Sequence, residues 1–231
     1  MLKRVQSPRF PARVPGMRVT SIVALAACGA VLAAAPGASA ATLTADQGCY
    51  IEGSTMGLTG AGFAPAASIS LEGEQFALTG PAGADGTFQA PVKAPLLGTS
   101  KPATKTYTVT ATDPATSTSA TVDVQVATAV FSTSTGFKSP RASRTWKFSG
   151  LFQQPGKPIY GHFRHNGRTY ANYRFGVPQG PCGTLKRKAP GIPARTVPAG
   201  KWRVQVDFEP RYHPKATPRL TGSTTVITTF R

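Results

Sequence analysis

The chain has 231 residues, of which 26 are Lys or Arg and only 9 are Asp or Glu, giving a formal net charge of +17 at pH 7. Charged residues make up 15% of the sequence, fewer than in an average soluble protein, which argues against coiled coils and long helical bundles. Because the sequence contains a single long apolar run, a protein that crosses a membrane several times is excluded.

The N-terminal segment, residues 1–40, has the three parts of a secretory signal peptide. Basic residues precede an apolar run over 19–35, and an A-x-A cleavage site ends at Ala40. Cleavage there leaves a mature chain, 41–231, with no stable transmembrane span. A lipoprotein or a retained membrane anchor is the alternative, but the apolar run continues past Cys28 and ends at a good cleavage site, which favours export with cleavage.

The mature chain shows almost no helical periodicity. Short runs of alternating apolar and polar residues are separated by Gly, Pro, Asp and Asn, which is typical of an antiparallel β-sandwich. Three such runs extend from Tyr107 to Ala111, from Val122 to Val126 and from Trp202 to Val206, and a last β-branched strand is predicted over 225–230. The predicted fold class is therefore all-β.

An internal repeat divides the mature chain into two parts. The stretch from Leu58 to Ile69 matches the stretch from Phe148 to Ile159, with five residues from Gly to Pro and four from Pro to Ile in both copies. Each part has the size of an immunoglobulin-like sandwich. The sequence thus predicts two tandem Ig-like domains, 41–128 and 129–231.

Several motifs of the first part resemble a known family. The Gly60-Ala-Gly-Phe-Ala-Pro65 stretch is followed by an Asp85-Gly86 turn and by the strand Tyr107–Asp113. This arrangement is similar to bacterial Ig-like repeats, such as the IPT/TIG group, of secreted and surface proteins of actinobacteria. These motifs are structural and carry no chemistry. The resemblance implies export, modular β-sandwiches and a binding or spacer role.

The two cysteines of the mature chain, Cys49 and Cys182, fall one in each predicted domain. Because exported chains meet an oxidising environment, an even pair predicts one disulfide, which would join the two domains. Two free thiols or a bridge to another chain are the alternatives.

Charge is distributed very unevenly between the two parts. Residues 41–128 hold 3 Lys or Arg against 7 Asp or Glu, a net charge of −4, whereas residues 129–231 hold 18 against 2, a net charge of +16. An excess of this size creates a field that attracts polyanions and speeds their encounter with the protein.

A β-hairpin in the second part carries candidate ligand-binding residues. The Asn166-Gly167 pair is a strong signal for a two-residue turn, and it predicts that Phe163 faces Tyr170 and that Tyr160 faces Tyr173. Aromatic and guanidinium groups side by side suit phosphate, uronate or stacked bases, while an aromatic core with a solvated basic rim is the alternative. The candidates are Tyr160, Arg164, Arg168, Tyr170 and Arg174.

A second basic patch consists of Lys186, Arg187 and Lys188, with Arg195 nearby, in a predicted Pro/Gly-rich loop. These residues either contact the same anionic ligand or are simply solvated.

Catalytic chemistry finds little support in the sequence. His162 and His165 point to opposite faces of a strand, and neither H-E-x-x-H nor C-x-x-C occurs, so no metal, cofactor or catalytic residue is predicted. Asp207 and Glu209 are predicted as neighbours on one face of an edge strand. The segment around Cys182 lacks the Ser and Arg of exported Cys-dependent transpeptidases.

The sequence therefore predicts a secreted or envelope-associated, non-enzymatic protein. Its basic part, 129–231, would bind an anionic cell-wall polymer or an acidic glycan, with non-specific nucleic acid as the next candidate. A structural or adhesion protein acting through protein partners is the alternative, and a Cys-dependent envelope enzyme is a weaker one.

Overall fold

The computed structural model describes residues 40–134 and 139–226. These residues belong to one compact unit, Ala38–Arg231. They form β-strands, turns and connecting segments, with no helix among them, so the predicted all-β fold class is confirmed. The predicted signal peptide, apart from Ala40, and the last residues of the strand predicted over 225–230 lie outside the described residues.

The first part of the chain forms two facing sheets. One has the strand order β1-β3-β6 and the other the order β2-β8-β7-β4-β5, in which β2 pairs parallel with β8. The strands are β1 (Thr42–Ala45), β2 (Tyr50–Ile51), β3 (Thr55–Ala61), β4 (Ser68–Gly73), β5 (Phe76–Pro81), β6 (Phe88–Lys93), β7 (Thr104–Asp113) and β8 (Thr118–Ala127).

The core of the first part follows from the alternation along its strands. In β7 the side chains of Tyr107, Val109 and Ala111 are buried, and in β8 those of Val124 and Val126 are buried. Successive residues of a strand point to opposite faces, so one face of each strand packs against the opposing sheet and the other carries Thr and charged residues.

The second part forms two further sheets, with the orders β13-β10-β9 and β12-β11-β14-β15. Their core is rich in aromatic rings, with Trp146, Phe148, Phe163, Phe175 and Trp202 buried. The strands are β9 (Phe131–Thr133), β10 (Ser143–Phe148), β11 (Ile159–His165), β12 (Arg168–Gly176), β13 (Leu185–Pro190), β14 (Gly200–Asp207) and β15 (Leu220–Val226).

The strand order of the second part repeats that of the first. Strands β9, β10 and β13 take the places of β1, β3 and β6, and β12-β11-β14-β15 take those of β5-β4-β7-β8. Two facing, mainly antiparallel sheets of this topology are the architecture of an Ig-like sandwich. The strands of the first part end at Ala127 and those of the second begin at Phe131.

A disulfide joins the two parts, as predicted. The sulfurs of Cys49 and Cys182 lie 2.01 Å apart, and both residues are buried against Ala127, with Phe152 packed beside them. Because the two cysteines are 133 residues apart in sequence, the bond connects the start of the first sandwich to the second.

Hydrogen bonds reinforce this junction. The buried Ser149 hydroxyl donates to the Thr128 carbonyl at 2.6 Å, and the Gly150 amide donates to the Cys182 carbonyl at 3.0 Å. Gly150 has a φ of 77°, and a Cβ at this position would lie 2.7 Å from the Thr128 carbonyl oxygen. The glycine of the repeated motif is therefore required here by the close approach of two backbone segments.

Candidate functional site

The hairpin of β11 and β12 turns at Asn166 and Gly167, as predicted, with φ values of 46° and 79°. The cross-strand partners differ from the prediction, because β12 contains one extra residue at Tyr170 and another at Phe175. Such a β-bulge shifts every pair beyond it by one position.

Two predicted pairs are therefore wrong. Phe163 lies opposite Ala171 rather than Tyr170, and Tyr160 lies opposite Arg174 rather than Tyr173. The shift puts Tyr160 and Arg174 on one face of the sheet, whereas Arg168 lies opposite His165 on the other face.

The aromatic side chains of β12 turn toward the core. The Tyr170 ring lies 5.1 Å from the Trp202 ring, and the Tyr173 ring lies 5.2 Å from that of Phe175. Arg168 at the hairpin tip is exposed, with its guanidinium 5.8 Å from the Tyr170 ring. For Tyr170 the structure matches the alternative of an aromatic core with a basic rim.

The outer face of the β12-β11-β14-β15 sheet carries several basic residues. Arg164 on β11 lies directly opposite Arg203 on β14, and Lys201 is two residues from Arg203 on the same face. Like charges directly opposite each other in a sheet repel and reduce stability. An anion between the two guanidinium groups would remove this repulsion.

The segment 208–219, which connects β14 to β15, lies beside these arginines and supplies Tyr212. The guanidinium carbon of Arg164 is 4.0 Å from the centre of the Tyr212 ring, and its Nη1 donates to the Tyr212 hydroxyl at 2.7 Å. Its Nη2 donates to the Gly167 carbonyl, while its buried Nε has no hydrogen-bond partner among the described residues. These contacts hold the Arg164 side chain in one orientation.

Together these side chains form a groove of about 490 Å³, which we call the basic groove. The Arg219 Nη1 at its rim donates to the Pro214 carbonyl at 2.6 Å. The charged and aromatic residues that define the basic groove are Arg164, Lys201, Arg203, Tyr212 and Arg219.

Beneath the segment 208–219, a polar cluster lies on the same face, in which His162, Gln205 and Asp207 are buried and Asn172 is exposed. The Nε2 of His162 lies 3.1 Å from Asp207 Oδ1, and its Nδ1 lies 2.7 Å from Asn172 Oδ1. Gln205 donates to Asp207 Oδ2 at 2.6 Å and to the His213 carbonyl at 2.7 Å. The cluster thus links β11, β12 and β14 to the segment that walls the basic groove.

The ionisation of this cluster follows from its contacts. Burial lowers the pKa of His162, but hydrogen bonds to Asp207 and Asn172 and the charge of Asp207 outweigh it, so the net pKa is raised. Burial likewise raises the pKa of Asp207, but hydrogen bonds from His162, Gln205 and the Glu209 amide outweigh it and lower the net pKa. Both shifts favour a charged His162–Asp207 pair.

No carboxylate neutralises the basic groove within the described residues. Asp207 is fully buried in its pair with His162, and Glu209, the second acid of this part, makes no ion pair with a described residue. The cations of the groove therefore produce an uncompensated positive potential at a concave surface.

The remaining predicted residues lie elsewhere. Arg174 is exposed on the outer face, opposite the half-buried Tyr160. Lys186, Arg187 and Lys188 are exposed but lie on β13, an edge strand of the other sheet, so the predicted loop is wrong. Their flanking Pro and Gly residues suggested a loop, whereas pairing with β10 makes this segment a strand.

Of the residues that define the basic groove, only Arg164 was a predicted ligand-binding residue. The alternation of Lys201 and Arg203 with Trp202 could have placed these two cations on an exposed face. No sequence signal marks Tyr212 or Arg219, which reach the groove only through the path of the 208–219 segment.

Of the groups considered for catalysis, the alternative of a free Cys182 thiol does not hold, and the expected edge-strand position of Asp207 is wrong. Cys182 is disulfide-bonded, so it is not a free thiol nucleophile in this structure. Asp207 lies on β14, which is flanked by β11 and β15 and is not an edge strand. Within residues 40–134 and 139–226, no group of three or more His, Cys, Asp or Glu residues could hold a metal ion.

A second cleft, of about 830 Å³, lies among residues of β9, β10 and β15 in the second part. Its lining is largely aromatic, aliphatic and hydroxylic, and Arg144 is the one charged residue among the described residues that line it. The basic groove is therefore the better candidate for recognition of a charged ligand.

No protein-family model matches the chain, and no curated protein matches it. Among solved structures, it is similar to a tetra-tandem repeat of the extending region of a large adhesion protein, with 13% identity and a TM-score of 0.28 over 81% of this chain and 48% of that one. A bacterial ice-binding adhesin has 14% identity and a TM-score of 0.31, over 81% and 64% of the two chains. Red sea bream transglutaminase has 10% identity and a TM-score of 0.30, over 82% and 31%.

The chain spans less than two thirds of the length of each of these structures. Similarities at this level carry no argument about function. In the part of the chain that the structure describes, no helix is long and apolar enough to cross a membrane.

Proposed function

We propose that this protein is an exported, non-enzymatic Ig-like protein that binds an anionic polymer of the cell envelope through its basic second part. The observation that carries the proposal is the basic groove, where Arg164, Arg203 and Lys201 meet on one face without a carboxylate among the described residues. The buried Cys49–Cys182 disulfide supports an oxidising compartment outside the cytoplasm.

The chemistry of the groove favours phosphate or carboxylate groups. Guanidinium groups present paired N–H donors that match these oxyanions. Arg164 is held by Tyr212, so little side-chain entropy is lost when it binds a ligand. The repulsion between Arg164 and Arg203 adds to the preference for an anion.

Further cations could contact a long polymer outside the groove. Arg168 and Arg174 are exposed on β12, and Lys186, Arg187 and Lys188 are exposed on β13. Strands β12 and β13 are edge strands of the two sheets and contact each other. Several weak contacts along one polymer chain add up to a stronger, salt-dependent attachment.

A paired substitution tests the groove directly. Lys201→Ala with Arg203→Ala should weaken binding to a purified wall teichoic or teichuronic polymer, and should reduce the slope of log affinity against log salt by about two. The matched control, Lys93→Ala with Lys101→Ala, removes the same charge from the first part, where both residues are exposed. Equal losses in the two variants would mean that only overall charge matters, and the groove would be rejected as the site.

A structural or adhesion role through protein partners is the second candidate. The disulfide-linked tandem favours it, because a fixed junction suits a spacer. Absence of polymer binding even at about 20 mM salt, where electrostatic binding is strongest, would leave this candidate as the better one. Similar affinity for every polyanion tested, including DNA, would instead indicate non-specific electrostatic attachment.

A further inference from the structure

A buried ion pair lies behind the wall of the basic groove. The side chains of His162 and Asp207 have 0% exposure, and Asp207 Oδ1 also accepts the amide of Glu209 at 2.8 Å. Through Gln205, the same carboxylate is linked to the His213 carbonyl. The pair therefore fastens both the beginning and the middle of the 208–219 segment to the sheet.

With the Asn172 amide oxygen turned toward the ring, the geometry favours a protonated imidazole. Asp207 Oδ1 and Asn172 Oδ1 are both hydrogen-bond acceptors, and they face the two ring nitrogens of His162. Both nitrogens can donate at the same time only when the ring is an imidazolium. A neutral ring keeps both hydrogen bonds only if the exposed Asn172 amide turns over, and it leaves the buried Asp207 carboxylate with weaker compensation.

The charged and titratable groups around His162 come from three elements. Asp207 faces it from β14, the Tyr212 ring lies 5.9 Å away in an edge-on arrangement from the 208–219 segment, and Arg164 is two residues along β11. The neighbour from β12, Asn172, is neutral. Tyr212 thus touches both His162 and Arg164, and joins the ion pair to the basic groove.

We propose that the His162–Asp207 ion pair holds the 208–219 segment against the sheet while His162 is protonated, an interaction that we call the fastening. The held segment keeps Tyr212 and Arg164 in position. The basic groove therefore binds anions more tightly at mildly acidic than at alkaline pH. The effect on ligand binding rests on the proposed function, whereas the fastening of the segment does not. His162 and Asp207 are accordingly positioning residues that act through Tyr212.

The sign of the effect follows from linkage. The pKa of His162 is raised in the folded protein. The ion pair therefore stabilises the closed segment fully below the ordinary histidine pKa, and this contribution is lost as the pH rises through the raised value. Loss of the proton leaves Asp207 buried without its cation, and opening of the segment allows the carboxylate to be hydrated.

Limited trypsin digestion of the purified protein measures opening of the segment without any ligand. Arg211 and Lys215 are exposed cleavage sites within 208–219, and Arg195 is an exposed site in a separate connection. The ratio of cleavage in the segment to cleavage at Arg195 cancels the pH dependence of the protease. This ratio should rise severalfold from about pH 5.5 to about pH 8.5, the range around histidine titration.

Three histidine variants show which histidine causes the pH dependence of the cleavage ratio. His162→Gln, which cannot become charged, should make the ratio high and independent of pH. His165→Gln is the matched control, because His165 is buried on the opposite face and its Nδ1 lies 3.2 Å from the Lys201 carbonyl oxygen. His213→Gln controls for the exposed histidine of the segment itself. The last two variants should keep the wild-type pH dependence.

Binding to dextran sulfate, whose sulfate groups do not titrate in this range, tests the link to the groove. The wild-type affinity should fall severalfold from about pH 5.5 to about pH 8.5, and His162→Gln should abolish this dependence. A cleavage ratio that stays constant in the wild type would overturn the fastening even if dextran sulfate binds. A pH-dependent ratio without any polymer binding would leave the fastening intact and remove the proposed function.

Nitrogen chemical shifts of the wild-type imidazole rings provide a readout that does not depend on a folded variant. His162 should titrate above the ordinary histidine range, with both ring nitrogens protonated near neutral pH. A neutral His162 ring at about pH 6 would contradict the proposal, whatever the variants do.

Discussion

Removal of the Cys49–Cys182 disulfide should lower the free energy of unfolding by up to about 5 kcal/mol. The bond closes a loop of 133 residues, and a crosslink of that span restricts the unfolded chain strongly. Compactness of the real unfolded chain reduces the effect, so about 3 to 5 kcal/mol is expected for Cys49→Ala with Cys182→Ala. Alanine is chosen because both sites are buried in an apolar cluster.

Equilibrium unfolding in urea measures this loss. Both tryptophans of the chain, Trp146 and Trp202, lie in the core of the second part, so their fluorescence reports that part alone. Far-UV circular dichroism reports both parts. Wild-type protein reduced after unfolding serves as the control, because it lacks the crosslink but keeps both cysteines.

The double variant and the reduced wild type should lose similar amounts of stability. A loss below about 1 kcal/mol in both would refute the entropic account of the crosslink. A large loss in the variant alone would show instead that packing of the sulfur atoms, and not the bond, stabilises the junction.

Three further predictions concern the junction, the buried pair and the edge strand. Gly150→Ala should destabilise the protein by at least about 1 to 3 kcal/mol in urea unfolding, because its Cβ would lie 2.7 Å from a backbone oxygen. Gly156→Ala, at the same φ of 77° but with open space around it, should cost clearly less, and equal costs would contradict the steric argument. The melting temperature should fall as the pH rises through the raised pKa of His162, since the folded state then gives up a proton it held favourably, and a flat profile in differential scanning calorimetry would contradict the charged pair. Substitution of all three cations in 186–188 by Ala should reduce the salt dependence of polymer binding and leave its pH dependence unchanged. Loss of the pH dependence in this variant would mean that the pH dependence arises outside the basic groove.

The two sandwiches illustrate how one topology carries different surfaces. Their strand orders correspond, yet residues 41–128 have a net charge of −4 and residues 129–231 one of +16. The topology depends on inward-facing residues, while the charge difference lies on outward-facing ones. The proposed function therefore resides in the surface of the second sandwich and not in the shared fold.

Alternation in the sequence was sufficient to predict the all-β class, and the even number of cysteines in an exported chain was sufficient to predict the disulfide. Regular alternation at Tyr107 and Trp202 marks strands whose buried face the structure confirms. The bulges at Tyr170 and Phe175 could not be predicted, because an extra residue in a strand has no local signature when aromatic and basic residues alternate on both faces. The position of each bulge depends on packing of the Tyr170 and Phe175 rings toward the core.

The candidate site was less predictable, because it depends on tertiary contacts. His162 sits on an outward face and is buried only since the 208–219 segment folds over it. Tyr212 and Arg219 lie in that segment, where no periodicity indicates orientation. The pairing of Arg164 with Arg203 required the order of β11 and β14 in the sheet, which spacing alone does not give.

Co-sedimentation with purified cell walls, from about 20 to about 500 mM salt, tests the proposed function most directly. We expect the protein to bind walls at low salt, to be released steeply as the salt concentration rises, and to lose binding once the anionic polymers have been stripped from the walls. Binding that persists on stripped walls, or that does not respond to salt, would contradict recognition of an anionic polymer by the basic groove.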